Sequence, residues 1–450
     1  VLPILVSFAF TMFFGSSQMS NKIESMKAAE AALISFANRY KGIYHSLPAF
    51  LETKTHSLEL FDTPIPKSSL PIKEQKCQLY KDQNETFTMH GIKVTSHVYE
   101  SHITSLKEEE KREEYPLVVL HGYMNGALYF YRNLLGLSNY SFKGTVYALD
   151  CFGWGLSSRP KFTIQADQKK QPDLDDHLLT EQVFVESLEE WRKAHKIEKM
   201  TLGGHSMGGH MATAYAEKYP DRVDRLILIS PAGVPDDKDD DIESRIKDAP
   251  LRFRLMFGLA KRVRNWGVNP ALILRNLPES KGRSMVERYI EGRLATIKCP
   301  EEKKHLGEYF YTNAALPGSG EHALNKILKP TAFGVKPSVY RISELKVKHV
   351  HFIYGEHDWM DSSGGVEALK LSALRKSEGK ESPEIRVWGV SNAGHLLMLE
   401  NWKEFNSAMV HANGHGHRLS QHAPTPFKVA DEASTGMFFK RSVFRRRRDE

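Results

Sequence analysis

Cysteine is scarce. The 450-residue chain holds three, Cys77, Cys151 and Cys299, far apart and odd in number. That excludes a disulfide-built scaffold and a cysteine-rich zinc module, and it favours a reducing compartment. Long apolar runs are missing too. The opening stretch VLPILVSFAFTMFFGSSQMSN carries no charge before Lys22. Its strongly apolar part is about 14 residues, short of the roughly 20 that cross a bilayer, and no basic region precedes it as in a signal peptide. For residues 1–20 the alternatives are a shallow anchor, a targeting remnant and an artefact of gene prediction. Nucleic-acid modules and internal repeats are absent. The net charge of +7 is modest for this length and partly local, because FKRSVFRRRRDE, residues 439–450, contains six basic residues. Residues 411–450 are therefore expected to be a disordered basic tail. Attraction of this tail to an anionic membrane is the sharper alternative. The tail histidines His411, His415, His417 and His422 read as solvated and not as metal ligands.

What is present is an ordinary globular composition, 41% hydrophobic and 26% charged, enough for a sizeable core. Residues 22–45 predict a helix with Ile23, Met26, Ala29 or Glu30, Leu33, Phe36 and Ala37 on one face. The Pro- and Ser-containing stretch 61–74 reads as a linker, and TFTMHGIKVTSHVYE reads as a hairpin turning at His90-Gly91. YPLVVLHG, GTVYALD, MTLGGHS, RLILIS and VHFIYG then arrive as short apolar runs. Such runs fit strands buried on both faces of a parallel sheet. Helix-like segments separate them, notably TEQVFVESLEEWRKAHKI, with Thr180 as a fair N-cap and His195 at its end. The alternation predicts an α/β doubly wound fold. It breaks between about 235 and 348, which reads as a helical cap over the end of the sheet. It opens on DDKDDD, a solvated acidic loop. The expected organisation is 1–85 for the apolar segment, helix and linker; 86–234 and 349–410 for the α/β core; 235–348 for the cap; and 411–450 for the tail.

Chemistry concentrates at LGGHSMGGHM. Gly204-His205-Ser206-Met207-Gly208 matches Gly-x-Ser-x-Gly, between a strand-like KMTL and a helix-like GGHMATAYAEKY. A serine on such a strand-to-helix turn is exposed to act as a nucleophile, and the glycines remove side chains that would clash. Serine needs a base, an acid that orients it, and donors for an oxyanion. In chain order the acid should come next and the histidine last. IYGEHDWMD and VSNAGHLLMLEN supply them. His395 is the base candidate. Asp358 is the preferred acid, three residues past the glycine that ends its strand, with Asp361 as the alternative. His357 and His205 neighbour the site as structural or substrate-facing groups. The oxyanion donors are expected to be the backbone N–H groups of Met207 and of Tyr123, or Met124 in its place. Asp150, with Gly153 and Gly155, is expected to support the floor.

The segments HGY, LDCFGWGLSSRP, VESLEEWRKAHKIEKMTLGGHSMGG, FIYGEHDWM and AGHLLMLEN together resemble the α/β-hydrolase fold. The resemblance spans roughly 110–410. More narrowly the chain resembles a lipid-acting subfamily that includes fungal cardiolipin deacylase, animal N-acyl phospholipid lipases and plant and animal lysophosphatidic acid acyltransferase-like proteins. It implies a phospholipid or lysophospholipid acyl ester as substrate, peripheral membrane contact, an intracellular location at mitochondrion, ER or lipid droplet, and no cofactor. The subfamily also carries His-x-x-x-x-Asp, linked to transfer from acyl-CoA as co-substrate. Here the match is His395 to Glu400, with Glu in place of Asp. Some members carry their catalytic acid at the position of Asp361. The resemblance leaves three readings: a serine lipid acyl hydrolase, an acyltransferase, and a catalytically weak lipid-metabolism scaffold. The retained Ser206 favours the first. A small-ester hydrolase of the same fold is weighed against it. An epoxide hydrolase or dehalogenase is set aside, since those need a carboxylate where Ser206 stands. LRFRLMFGLAKRVR in the cap mixes apolar and basic residues as interfacial helices do.

Overall fold

A computed structural model describes residues 16–39, 56–71, 86–99, 113–160, 175–236, 270–329, 332–360, 362–419 and 423–430. The strands are β1 (His56–Pro66), β2 (Thr86–Ser96), β3 (Leu117–Leu120), β4 (Thr145–Leu149), β5 (Met200–His205), β6 (Val223–Ile229), β7 (His349–Gly355), β8 (Glu384–Val390) and β9 (Phe427–Ala430). They form one sheet in the order β1-β2-β4-β3-β5-β6-β7-β8-β9. The six strands β4, β3, β5, β6, β7 and β8 run parallel, while β1, β2 and β9 add antiparallel partners. The helices are α1 (Ser16–Arg39), α2 (Leu134–Tyr140), α3 (Asp176–Ala194), α4 (Met207–Lys218), α5 (Pro270–Asn276), α6 (Glu279–Arg293), α7 (Pro300–Ala315), α8 (Gly320–Leu324), α9 (Ser338–Ser343), α10 (Ser363–Ser377), α11 (Leu397–Glu400) and α12 (Trp402–Ala412).

The apolar runs lie in the centre of this sheet because both faces are covered. In β3, Val118 and Leu120 join the core that holds Trp191, Leu202 and Tyr215, while Leu117 and Val119 join the core on the other face with Phe130 and Phe405. Period-two alternation sends neighbours to opposite faces, so a strand covered on both sides must be apolar throughout. Between β6 and β7 the described residues fold as α5 to α9, and α1 packs on α7 with Met26, Leu33 and Phe36 fully buried. Among the described residues no helix is long and apolar enough to cross a membrane.

Four expectations need correction. The stretch 61–74 is no linker over its first part: residues 56–66 are β1, paired with β2 along its whole length. Pro64 and Pro66 are tolerated because β1 is an edge strand, where a missing N–H costs no ladder bond. No hairpin turns at His90-Gly91, since β2 runs straight through them. A Cβ on Gly91 would stand 2.8 Å from the Ala148 carbonyl oxygen, so glycine there serves close strand approach. The α3 N-cap is Asp175, whose carboxylate accepts from Leu178 N–H, and not Thr180. The chain is not a disordered tail from 411 onward over its described residues. Residues 411–412 complete α12, β9 extends the sheet, and His415 and Arg418 are buried beside Glu114. The segment 251–264, Asp361, His422 and the basic run at 439–450 lie outside the described residues.

Candidate active site

β5 ends at His205, α4 begins at Met207, and Ser206 makes the turn between them with φ 54° and ψ −116°. A non-glycine residue in this conformation stores strain, on the order of 1–3 kcal/mol, and needs surroundings that fix it. Those surroundings are hydrogen bonds with the end of β6, the loop after it and the first turn of α4. Ser206 N–H donates to the Ile229 carbonyl (2.9 Å), and the Ser206 carbonyl accepts from Gly209 N–H and Ala232 N–H, both at 3.0 Å. The flanking glycines explain themselves by distance. A Cβ on Gly204 would lie 2.3 Å from the Gly208 oxygen, and one on Gly208 would lie 2.6 Å from the Leu120 oxygen at the end of β3.

Met207 is the first residue of α4, so its N–H has no acceptor within the helix. The other side of the turn is the loop after β3. A Cβ on Gly122 would sit 3.1 Å from Ser206 Cβ and 2.7 Å from His205 Nδ1; the loop reaches the serine only because that side chain is absent. His121 fixes its direction. Cys151 N–H donates to His121 Nε2 at 3.0 Å, so the proton sits on Nδ1, which donates to the Gly122 carbonyl at 2.7 Å. Burial lowers the His121 pKa and keeps the ring neutral. The Gly122–Tyr123 peptide is planar and trans, so a fixed Gly122 carbonyl also fixes the Tyr123 N–H, pointing the opposite way. Met124 follows at φ 60°, with its carbonyl accepting from Asn313 Nδ2 of α7 at 3.1 Å.

Asp358 and His395 are brought together. They leave the loops after β7 and β8, and Asp358 Oδ1 accepts from His395 Nδ1 at 3.0 Å. The Asp358 side chain is almost fully buried (1% exposed), against 12% for His395. Met360 N–H also donates to Asp358 Oδ1, at 2.9 Å. Trp359 lies beside the imidazole, ring centroids 4.9 Å apart, and is itself exposed. His205 stands on the other side, its ring 4.7 Å from that of His395, and its Nε2–H donates to the His395 carbonyl at 2.9 Å. Burial, and then the neighbouring His395, hold the His205 pKa well below its usual value. A neutral His205 therefore puts no competing positive charge beside His395. Among the described residues no hydrogen bond joins Ser206 Oγ to His395. Such a contact is often long before a substrate is bound. His357 is exposed and only its backbone is engaged, donating to the Ala393 carbonyl.

Glu400 does not face the reacting groups as a second acid. Its carboxylate accepts from Gly394 N–H at 2.7 Å and Leu396 N–H at 3.1 Å, the two amides flanking His395. Asp150 is fully buried under the site. Its two oxygens accept from Ala127 N–H (2.8 Å) and Leu156 N–H (2.7 Å), tying together the loops after β3 and β4. Beyond Tyr123 opens a small cleft lined by Met124, Trp154, Arg159, Arg275 and Asn313. Sequence reasoning missed the His121 clamp, the Glu400 brace and the Asn313 contact. For the second of these a signal existed: Glu400 stands four residues past Leu396, one helical turn, and so within reach of the amides around His395.

Residues 115–401 match the alpha/beta hydrolase fold family. The chain is 35% identical over 318 residues to a 1-acylglycerol-3-phosphate O-acyltransferase of Arabidopsis thaliana, which covers 69% of each chain. It is 30% identical over 292 residues to the human 1-acylglycerol-3-phosphate O-acyltransferase ABHD5, covering 65% of this chain and 75% of the other. It is 31% identical over 301 residues to a bovine (lyso)-N-acylphosphatidylethanolamine lipase, covering 67% and 79%. With its parallel sheet, its serine turn and its paired aspartate and histidine, the chain belongs to the alpha/beta hydrolase fold family.

Proposed function

We propose that this protein is a serine-dependent lipid acyl hydrolase of the phospholipase or lysophospholipase type. The observation that carries the reading is the Asp358–His395 hydrogen bond at 3.0 Å beside a serine held in a strained turn. Ser206 Oγ attacks the ester carbonyl while His395 Nε2 takes its proton. Asp358 holds the Nδ1–H and offsets the charge of the imidazolium. The carbonyl oxygen becomes an oxyanion, received by Met207 N–H and Tyr123 N–H. His395 returns the proton to the leaving lysolipid oxygen, which leaves an acyl ester on Ser206. Water, deprotonated by His395, then releases the fatty acid and restores the serine. No metal or cofactor enters these steps. The lipid class is supported by the names of the relatives, and contact with a membrane surface follows from where such substrates reside.

A second reading is acyl transfer, favoured by the relatives named as O-acyltransferases. It would use acyl-CoA as co-substrate and a lysophospholipid as acceptor. Because Glu400 is committed to two backbone amides, the His395-to-Glu400 pair offers no separate dyad. Transfer would pass through the same acyl-Ser206, with the lysolipid hydroxyl in place of water.

The test is incubation of the purified chain with liposomes of cardiolipin, common phospholipids or lysophosphatidic acid, with and without acyl-CoA, following every acyl chain by mass spectrometry. Free fatty acid that vanishes in Ser206→Ala supports the hydrolase. Phosphatidic acid formed only with acyl-CoA supports transfer. Turnover that persists in Ser206→Ala removes the serine from the mechanism, and no turnover of any lipid overturns both readings in favour of a scaffold.

A further inference from the structure

Among the described residues, one cluster of ligating side chains lies outside the serine site. His177 and Glu181 are one turn apart on α3 and share a face. His210 is on α4, four residues past Ser206. All three are buried, with His177 at 3% and His210 at 1% exposure. One oxygen of Glu181, Oε1, is 3.2 Å from His177 Nε2 and 2.9 Å from His210 Nε2. One donor atom from each residue falls within 4.8 Å of the others. Ligand atoms about 2.0–2.2 Å from a tetrahedral zinc ion are themselves roughly 3.4 Å apart.

The imidazoles show why this is more than a buried ion pair. Both nitrogens of His177 and both of His210 are buried with no hydrogen bond. The two Nε2 atoms approach Glu181 at ion-pair distance but not along hydrogen-bonding directions. Buried polar nitrogens without partners are costly, and the two Nε2 atoms that converge on Glu181 Oε1 call for an additional occupant. The rings stand nearly perpendicular, at 85° with centroids 5.9 Å apart. Two imidazoles and a carboxylate are the donor set of zinc, not of calcium or magnesium, which take oxygen.

We propose that His177, Glu181 and His210 form a zinc site that fastens α3 to the helix carrying the Ser206 turn. The metal is bound by His177 Nε2, His210 Nε2 and Glu181 Oε1, with a water in the fourth position. Arg341 of α9 grips the same carboxylate from outside, at 2.7 Å to Oε1 and 2.9 Å to Oε2. It also pairs with Glu217, so its charge is shared between two carboxylates and does not fall wholly on the metal. The site lies on the helix side of the serine turn and takes no part in the ester chemistry.

The test uses the full chain stripped by chelator and dialysed, then titrated with Zn²⁺ alone or Co²⁺ alone. About one equivalent of zinc, a rise in thermal midpoint with zinc, and the visible bands of four-coordinate cobalt are expected. His177→Gln and His210→Gln should each abolish all three. Hydrogen exchange needs no variant and places the ion: zinc should protect residues 176–194 and 207–218. A wild-type chain that binds neither ion overturns the site. So does zinc that persists in the double variant, or whose protection falls elsewhere, such as around His411 to His417.

Discussion

The Glu400 carboxylate holds the two peptide N–H groups on either side of His395, at 2.7 Å and 3.1 Å. It therefore aims the imidazole without touching a reacting atom. Hydrogen bonds to a charged group contribute about 1.5–3 kcal/mol each. If one such contribution falls on the transition state, losing it slows the reaction by roughly 10- to 150-fold. Glu400→Gln, which keeps at most one good acceptor for the two amides, should lower kcat by about that factor and leave KM nearly unchanged. Glu400→Ala should do more. An equal loss in kcat/KM through KM alone would place Glu400 in lipid binding instead.

The His121 clamp makes a second kinetic prediction. Its Nδ1–H is the shorter of two donors to the Gly122 carbonyl, at 2.7 Å against 3.2 Å for Asn125 N–H, and so helps to fix the Tyr123 N–H. His121→Leu removes that donor and also strands Cys151 N–H. Removing one oxyanion donor costs on the order of 100- to 1,000-fold in kcat in other serine hydrolases. A donor that is misdirected but still present should cost less, on the order of 10- to 100-fold. Steady-state kinetics on a soluble ester, with circular dichroism to check the fold, reads it. Unchanged kcat would mean that the His121 bond does not aim the Tyr123 N–H, Asn125 N–H alone sufficing to hold the Gly122 carbonyl.

The turn itself sets a stability prediction. A methyl group on Gly208 would lie 2.6 Å from the Leu120 oxygen and 2.7 Å from the His121 oxygen. Both are backbone, so neither can swing away. Gly208→Ala should destabilise the chain by about 1–3 kcal/mol, as other overpacked sites do. It should also cut activity, because the displaced strand end carries the His121–Tyr123 loop. Denaturant unfolding and ester turnover measure the two effects separately.

These three cases show where the sequence was informative and where it was not. The central strands were legible because burial on both faces leaves apolar runs, and the Ser206 turn because its glycines sit where backbone meets backbone. Ser206, Asp358 and His395 came from spacing and chain order. β1 was not legible, since Pro64 and Pro66 mark a turn in most settings and only an edge position excuses them. β9 has four residues and depends on β8 for its existence. The Glu400 and His121 contacts end on backbone atoms, which leave no mark in residue type at that end, so for Glu400 only its spacing from Leu396 could have pointed to the contact.

His90 links pH to the attachment of α1. Its Nδ1 is 2.8 Å from Asp62 Oδ1 and its Nε2 is 3.1 Å from Glu30 Oε1 of α1. Burial alone would lower its pKa, but the hydrogen bonds to Asp62 and Glu30, with further help from the nearby Asp150 charge, push it up to about 10. A folded pKa raised above the unfolded value of about 6.5 means that the folded state prefers the protonated ring. The stabilisation is fully present below pH of about 6.5 and is lost as pH rises through about 10. Thermal midpoints across this range should fall for the wild type and fall much less for His90→Gln. Hydrogen exchange in α1 should quicken over the same interval.

α7 reaches the histidine loop through Arg132. Its guanidinium donates to Glu302 of α7, with Nε at 2.8 Å from Oε1, and to the Leu399 carbonyl at 3.1 Å, one residue before Glu400. Both members of the pair are buried. Glu302→Leu leaves the guanidinium buried and uncompensated, which should cost about 3–5 kcal/mol of stability. Replacing both residues by apolar ones of similar size, Arg132→Met with Glu302→Leu, should recover most of that loss, because no charge is left buried. Activity should not recover with it. The double variant lacks the donor to Leu399, which Glu302→Leu alone keeps, so α11 and the Glu400 carboxylate at its end lose one of their anchors. Stability restored with kcat still depressed is the expected result. If kcat returns together with stability, Arg132 acts on the fold alone and does not help to aim His395.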